Sequence, residues 1–176
     1  KDGKGRRALQ SYLKYGYIPL NDSVKESFHT CEQVSRTLEY AYDDYAVAQA
    51  AKALGKTEDY RRLMARARNW RNVINPKTGW ADGRWANGRW LNNSNIDTRE
   101  PFITEGTPAQ YTWYVPHDVY GLIDVMGGKA TFTARLDRMF RDSMYWHGNE
   151  PCQQIPYLYA YVGQPWKTQQ AVRTIL

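Results

Sequence analysis

Two short runs, Phe102-Ile103-Thr104-Glu105-Gly106 and His147-Gly148-Asn149-Glu150-Pro151, each set a glutamate beside glycine or proline. Between them lies an aromatic stretch, Gln110-Tyr111-Thr112-Trp113-Tyr114-Val115-Pro116-His117-Asp118. Carboxylates on irregular backbone can be aimed at a glycosidic oxygen or at a cation, and aromatic faces stack on the C–H surfaces of a pyranose. The combination points to a sugar site. Read one at a time, the same residues serve equally well as a helix-capping glutamate beside a core aromatic cluster.

The composition bounds what can surround these residues. A chain of 176 residues, 42% hydrophobic and 24% charged, fits one domain with a real core and is neither disordered nor fibrous. Its apolar runs are far shorter than a membrane span, and the basic start Lys1 to Arg7 has no signal-peptide core behind it. No membrane partner and no address of its own are therefore expected. The formal charge of +6 raises the question of nucleic acid. However, Tyr60, Leu63, Ala67, Trp70 and Ile74 recur at helical spacing, which leaves Arg61, Arg62, Arg66 and Arg68 on a solvated outer face. With no helix-turn-helix, zinc knuckle or RNA-recognition signature, nucleic acid is not an expected partner. Cys31 and Cys152 stand in unlike contexts without CxxC spacing, so neither a disulfide nor a thiolate metal site is indicated.

The elements that must position these residues read as helices in pairs. A helix over 36–54, apolar around most of its circumference and stopped at Gly55, is expected to be buried. An amphipathic helix over 58–74, with Thr57 as its cap, is expected to cover it. Pro116 starts a second inner helix, which Gly127-Gly128 stop, and 130–141 forms its outer partner around Phe132, Leu136, Met139 and Phe140. A third pair is expected over 153–161 and 166–176, and a lone amphipathic helix over 7–14. Asp43-Asp44, on the first inner helix, are expected to brace arginines. The fold class is all-α: about half of an (α/α)6 toroid, with a short β-hairpin excursion in which Asn87-Gly88 forms a type I′ turn. Half a toroid exposes apolar ends, so the chain reads as an incomplete catalytic domain.

Thr104-Glu105-Gly106, the Gln110 to Asp118 run, Gly121-Leu122-Ile123, Met126-Gly127-Gly128, Gly148-Asn149-Glu150-Pro151 and Gly163-Gln164-Pro165-Trp166-Lys167-Thr168-Gln169 follow one another in this order, preceded by Ser35-Arg36-Thr37-Leu38-Glu39-Tyr40-Ala41-Tyr42-Asp43-Asp44-Tyr45. Together they resemble glycoside hydrolase family 92, the calcium-dependent exo-acting α-mannosidases. The resemblance implies an N-terminal β-sandwich followed by an (α/α)6 catalytic barrel, inversion at the anomeric carbon, and a Ca2+ ion contacting mannose. This chain would be the middle and later barrel. On that resemblance Glu105 is the general acid, and Glu150, Asn149 and Gln110 are the calcium ligands. Trp113, His117 and Tyr111 are the candidates for contact with the sugar, His117 being as well placed to satisfy a core carbonyl. The expected partners are α-mannoside glycans and the remainder of the catalytic domain, in a secreted or periplasmic setting.

The chain departs from the family pattern at Thr107-Pro108-Ala109, where Asn, a small residue and Trp are usual, and at Cys152-Gln153, where Ser-His is usual. An inverting hydrolase also needs a second carboxylate, about 6.5 to 9.5 Å from the acid, to activate water. The family carries it in a Gly-Asn-Asp-Asp-like loop beyond the segment matching 166–176, so the 176 residues alone are expected not to hydrolyse mannosides efficiently. The competing readings are a catalytically disabled sugar-binding or structural remnant and a different α/α-barrel glycosidase.

Overall fold

The computed structural model describes residues 5–22 and 30–176. The lone first helix is α1 (Leu9–Tyr15). Helix α2 (Gln33–Ala53) is the longest, and it closes as expected at Gly55. There Gly55 N donates to Lys52 O and Lys56 N to Ala51 O, the paired bonds of a Schellman stop. Helix α3 (Thr57–Arg66) begins at Thr57 rather than being capped by it, and it ends well short of residue 74. The physical reason lies at its last carbonyls: Tyr12 Oη donates to Arg66 O at 3.3 Å and His117 Nε2 bonds Ala67 O at 2.8 Å. The chain then continues as a 3₁₀ turn, Asn69–Val73. Its three-residue repeat keeps Ala67, Trp70 and Val73 on the buried side, so the apolar stripe survives the loss of the helix.

Helix α4 (Pro108–Tyr111) is a single capped turn, and α5 (Val119–Val125) starts where Asp118 Oδ1 accepts from Gly121 N at 3.0 Å. Helix α6 (Lys129–Arg141) follows, then 3₁₀ segments Glu150–Cys152 and Ile155–Val162, then α7 (Pro165–Ile175). Packed pairs include α2 with α3, α5 with α6, and Ile155–Val162 with α7, the three hairpins in series that the spacing predicts; Ile155–Val162 also packs on α5 and α6. The first member of the third pair is 3₁₀ rather than α-helical. Among the described residues, extended pairing is confined to two bridges, Ile74 with Ala81 and Arg84 with Trp90. The turn between Arg84 and Trp90 is not type I′. Gly88 N donates to Trp85 O and only Gly88 has positive φ, 84°, whereas type I′ needs it at Asn87 as well. No helix among the described residues is long and apolar enough to cross a membrane.

One large cluster forms the core, centred on Leu38, Trp70, Trp113, Leu122, Phe132, Leu136, Met139 and Ile155. Helix α2 is not wrapped on all sides as expected: Val47 is exposed, as is Leu54 just past its end, and Tyr42 is only partly covered. Of its paired aspartates, Asp44 is buried and does brace arginine, taking Arg6 Nη1 at 2.7 Å and Tyr12 Oη at 3.0 Å, with Arg66 Nε at 3.5 Å. Arg61 and Arg62 lie outside as predicted, paired with Glu58 and Asp59, but Arg66 turns inward to that carboxylate. Cys31 and Cys152 are free thiols, the second buried and pushed up to about 11 by its apolar surroundings.

Candidate functional site

The loop that carries Glu105 is held by the start of α2. The first N–H groups of a helix have no partner within it. Here Glu32 N donates to Pro101 O at 2.8 Å and Val34 N to Phe102 O at 3.1 Å. Ser35 Oγ returns the bond by accepting from Thr104 N at 2.8 Å. Glu105 follows, exposed, with φ 51°. Left-handed backbone costs a residue with a Cβ about 1–2 kcal/mol, and strain of this kind clusters at functional sites.

Immediately downstream, Thr107 Oγ1 accepts from Gln110 N at 3.3 Å while Gln110 Oε1 accepts from Thr107 N at 3.0 Å, a reciprocal capping box. Gln110 Nε2 donates to Met144 O at 2.9 Å. A Cβ at Gly106 would stand 2.9 Å from Gln110 Oε1, so a side chain there would push on the capping box. On the other arm, the Trp146 indole lies over Gly148, where a Cβ would meet Nε1 at 2.7 Å. Asn149 and Glu150 then lead into the 3₁₀ turn Glu150–Cys152, with Pro151 in its first positions.

These arms enclose a pocket of about 360 Å³. Glu105 and Thr104 line one side, Asn149, Glu150 and Pro151 another, and Glu39, Tyr111 and Tyr114 the floor that belongs to α2 and α4 and the turn after α4. Both glutamates of the opening motifs thus reach one cavity. Asn149 is 3% exposed, and its Nδ2 has no hydrogen-bond partner. A buried amide N–H left unmade costs about 1–3 kcal/mol, and turning the amide over would present its oxygen at the same point. Such an amide oxygen, in the pocket that Glu150 also lines, would suit a hard cation, which prefers six to eight oxygens. The two residues supply only part of such a shell, and among the described residues no three His, Cys, Asp or Glu side chains gather into a metal cluster.

The remaining sequence candidates are placed differently. Gln110 caps α4 and braces Met144, and it does not line the pocket. Trp113 is fully buried, edge-on to Trp80 at 6.0 Å and to Phe132 at 5.2 Å, so it offers no face to a sugar. His117 satisfies the core carbonyl Ala67 O and is flanked by the tilted rings of Tyr42 and Tyr45. A carbonyl only accepts, so Nε2 carries the proton, and burial lowers the imidazole below its ordinary value. Tyr111 does line the pocket, but its hydroxyl is committed to Glu39 Oε1 at 3.0 Å.

Glu39 is the residue that reading for chemistry passed over. It is half-buried, and burial raises its carboxyl above the usual range, opposed by hydrogen bonds from Tyr111 and Tyr114 and assisted by the negative charge of Asp43. Partial burial, which helps keep a proton donor protonated, is thus found at Glu39, while Glu105 is exposed. A signal existed in the helix register. Ser35, Glu39 and Tyr42 share one stripe of α2, and they meet in turn Thr104, Tyr111 and Tyr114.

The model of the glycosyl hydrolase family 92 catalytic domain matches residues 1–176. A curated relative from Arthroderma benhamiae, described as an uncharacterized secreted glycosidase, is 31% identical over 186 residues, covering 92% of this chain and 24% of its own length. Among solved structures, a family GH92 alpha-mannosidase from Bacteroides thetaiotaomicron superposes with a TM-score of 0.86 at 44% identity, covering 96% of this chain and 22% of that one. The same enzyme in complex with mannoimidazole gives 0.88 at 40% identity, covering 98% and 25%. A second, described as a family GH92 inverting mannosidase from the same organism, gives 0.88 at 33% identity, covering 97% and 26%. The chain thus spans about a quarter of the length of the relatives it matches. Its helical hairpins are a section of the α/α toroid of those enzymes.

Proposed function

The chain belongs to glycosyl hydrolase family 92, and from that membership we propose that it is part of the catalytic domain of an exo-acting α-mannosidase that removes terminal mannose from glycans with inversion. The observation that carries this reading is the convergence of Glu105, Asn149 and Glu150 on one pocket. Glu105 donates its proton to the glycosidic oxygen as the bond to the anomeric carbon breaks, so that the leaving alcohol departs neutral. Water enters from the opposite face, activated by a second carboxylate, a role that we assign to no residue of this chain. Asn149 and Glu150 would hold part of the shell of a Ca2+ ion. When bound, that ion would supply positive charge for binding the sugar. The remainder of the catalytic domain completes the cleft, and the secreted description of the Arthroderma benhamiae relative supports a secreted setting.

The test is mannose release by the whole protein from α-mannosides, with α-glucosides as the contrast, with and without a calcium chelator. Glu105→Gln is expected to lose about 100- to 10,000-fold on alkyl mannosides and far less on substrates whose leaving group needs no proton. Equal loss on both classes would remove Glu105 from the role of acid.

A further inference from the structure

A carboxylate that is half-buried is normally paired with a cation, because a lone charge away from water is costly. Among the described residues no arginine or lysine pairs with Glu39. Its hydrogen-bond donors are the neutral hydroxyls of Tyr111, at 3.0 Å, and Tyr114. The neighbouring charge is Asp43, which repels it. Both tyrosines are themselves locked: Tyr111 is buried on α4, and Tyr114 packs on Tyr111 at 5.9 Å and edge-on to Tyr42 at 6.1 Å. The arrangement fixes the carboxylate in place without neutralising it, and turns it toward the pocket shared with Glu105, Asn149 and Glu150. A carboxylate offers about four lone-pair directions, of which two hydroxyls fill at most two.

We propose that Glu39 is a substrate-positioning residue whose free oxygen lone pairs accept hydrogen bonds from hydroxyls of the terminal sugar, with Tyr111 and Tyr114 holding it in register. The proposal rests on the mannosidase reading and adds to it a wall of the sugar site on α2, facing Asn149 and Glu150. A sugar hydroxyl is a fitting donor because its O–H can fill a lone pair that the two tyrosine hydroxyls leave open on a carboxylate lining the pocket. The raised carboxyl of Glu39 is consistent with a site completed by a ligand, since a bound hydroxyl would favour the ionised form.

Binding of methyl α-mannoside and its four monodeoxy analogues to the whole protein, by titration calorimetry, tests this beside turnover. In the wild type one deoxy analogue is expected to bind roughly 10- to 100-fold more weakly, the effect of losing a hydrogen bond to a charged group. In Glu39→Gln the parent sugar falls by a similar factor and the penalty for that analogue disappears. Tyr111→Phe, which keeps the carboxylate and frees it to swing, reduces the penalty without abolishing it. A purely structural role would shift the melting temperature of Glu39→Gln and leave the deoxy penalties as in the wild type, and that result overturns the proposal. So does a change confined to the affinity for Ca2+, which would make Glu39 a metal ligand. Turnover with undiminished deoxy penalties in Glu39→Gln sinks this inference alone, whereas coupled binding without turnover supports it and sinks the mannosidase reading.

Discussion

Replacing Asp44 with alanine is expected to cost about 3 kcal/mol. Its carboxylate is 1% exposed and receives Arg6 Nη1 at 2.7 Å and Tyr12 Oη at 3.0 Å. The arginine contact is a charge-assisted bond, worth about 1.5–3 kcal/mol net. The tyrosine contact adds about 1, because Tyr12 Oη also reaches Arg66 O and is not stranded when the carboxylate goes. Arg66 Nε, at 3.5 Å on a side chain one-quarter exposed, adds under 1. The Arg6 side chain is 22% exposed and can recover some hydration, which keeps the sum below the cost of stranding a fully buried cation. Within a cooperative unit of about 150–250 residues such a loss lowers Tm by about 6–12 °C. The neighbouring Asp43 is the internal control: its side chain is 53% exposed and meets Arg6 at 3.5 Å, so Asp43→Ala should cost less than about 0.5 kcal/mol. Urea unfolding with unchanged m reads both. A cycle pairing Asp44→Ala with Tyr12→Phe should show about 1 kcal/mol of coupling. If Asp44→Ala costs no more than Asp43→Ala, the bracing argument is wrong.

Trp113→Phe should cost about 1–3 kcal/mol in urea unfolding, part of it offset by deleting an indole N–H that has no partner, and should leave α-mannoside affinity unchanged by calorimetry. Weakened binding at unchanged stability would return Trp113 to the sugar site. Glu105→Asn, which tolerates left-handed backbone, should abolish turnover while holding or raising the urea midpoint, and a clear loss of stability would contradict strain at this residue. His117 has a folded value lowered below its ordinary 6.5, so the unfolded chain binds more protons between the two values. Its contribution to stability is present above about 6.5 and is lost as pH falls toward the folded value. His117→Gln should flatten that part of a stability profile, and an unchanged slope would refute the assignment.

Periodicity made the helical pairs legible, because the apolar stripe of α6 and the Gly55 stop of α2 are local properties of the chain. The end of α3 was not legible, since it depends on Tyr12 and His117 arriving from distant segments to take its last carbonyls. The type I′ expectation at Asn87-Gly88 failed for a related reason. The dipeptide permits that turn, but the Arg84 and Trp90 bridge spans a longer loop that leaves only Gly88 with positive φ. In the site, irregular backbone beside a glutamate was an informative signal, and it brought Glu105 and Glu150 to one pocket. Residue type alone misled at Trp113, whose ring suits a sugar face and a core equally well. Glu39 escaped notice because a glutamate inside a helix is ordinary, and only the registration of α2 against the neighbouring loop and α4 gives it a partner.

The grip of the first turn of α2 on the loop at 101–104 has a consequence for engineering. One helix both presents Glu39 and clamps the loop leading to Glu105, so the two carboxylates share a mount. Sliding α2 by a single residue would rotate one out of the cavity and unseat the other at once. Transplanting the Thr-Glu-Gly loop into another helical scaffold would accordingly carry the acid without its aim unless Ser35 and the first N–H groups of that helix travel with it.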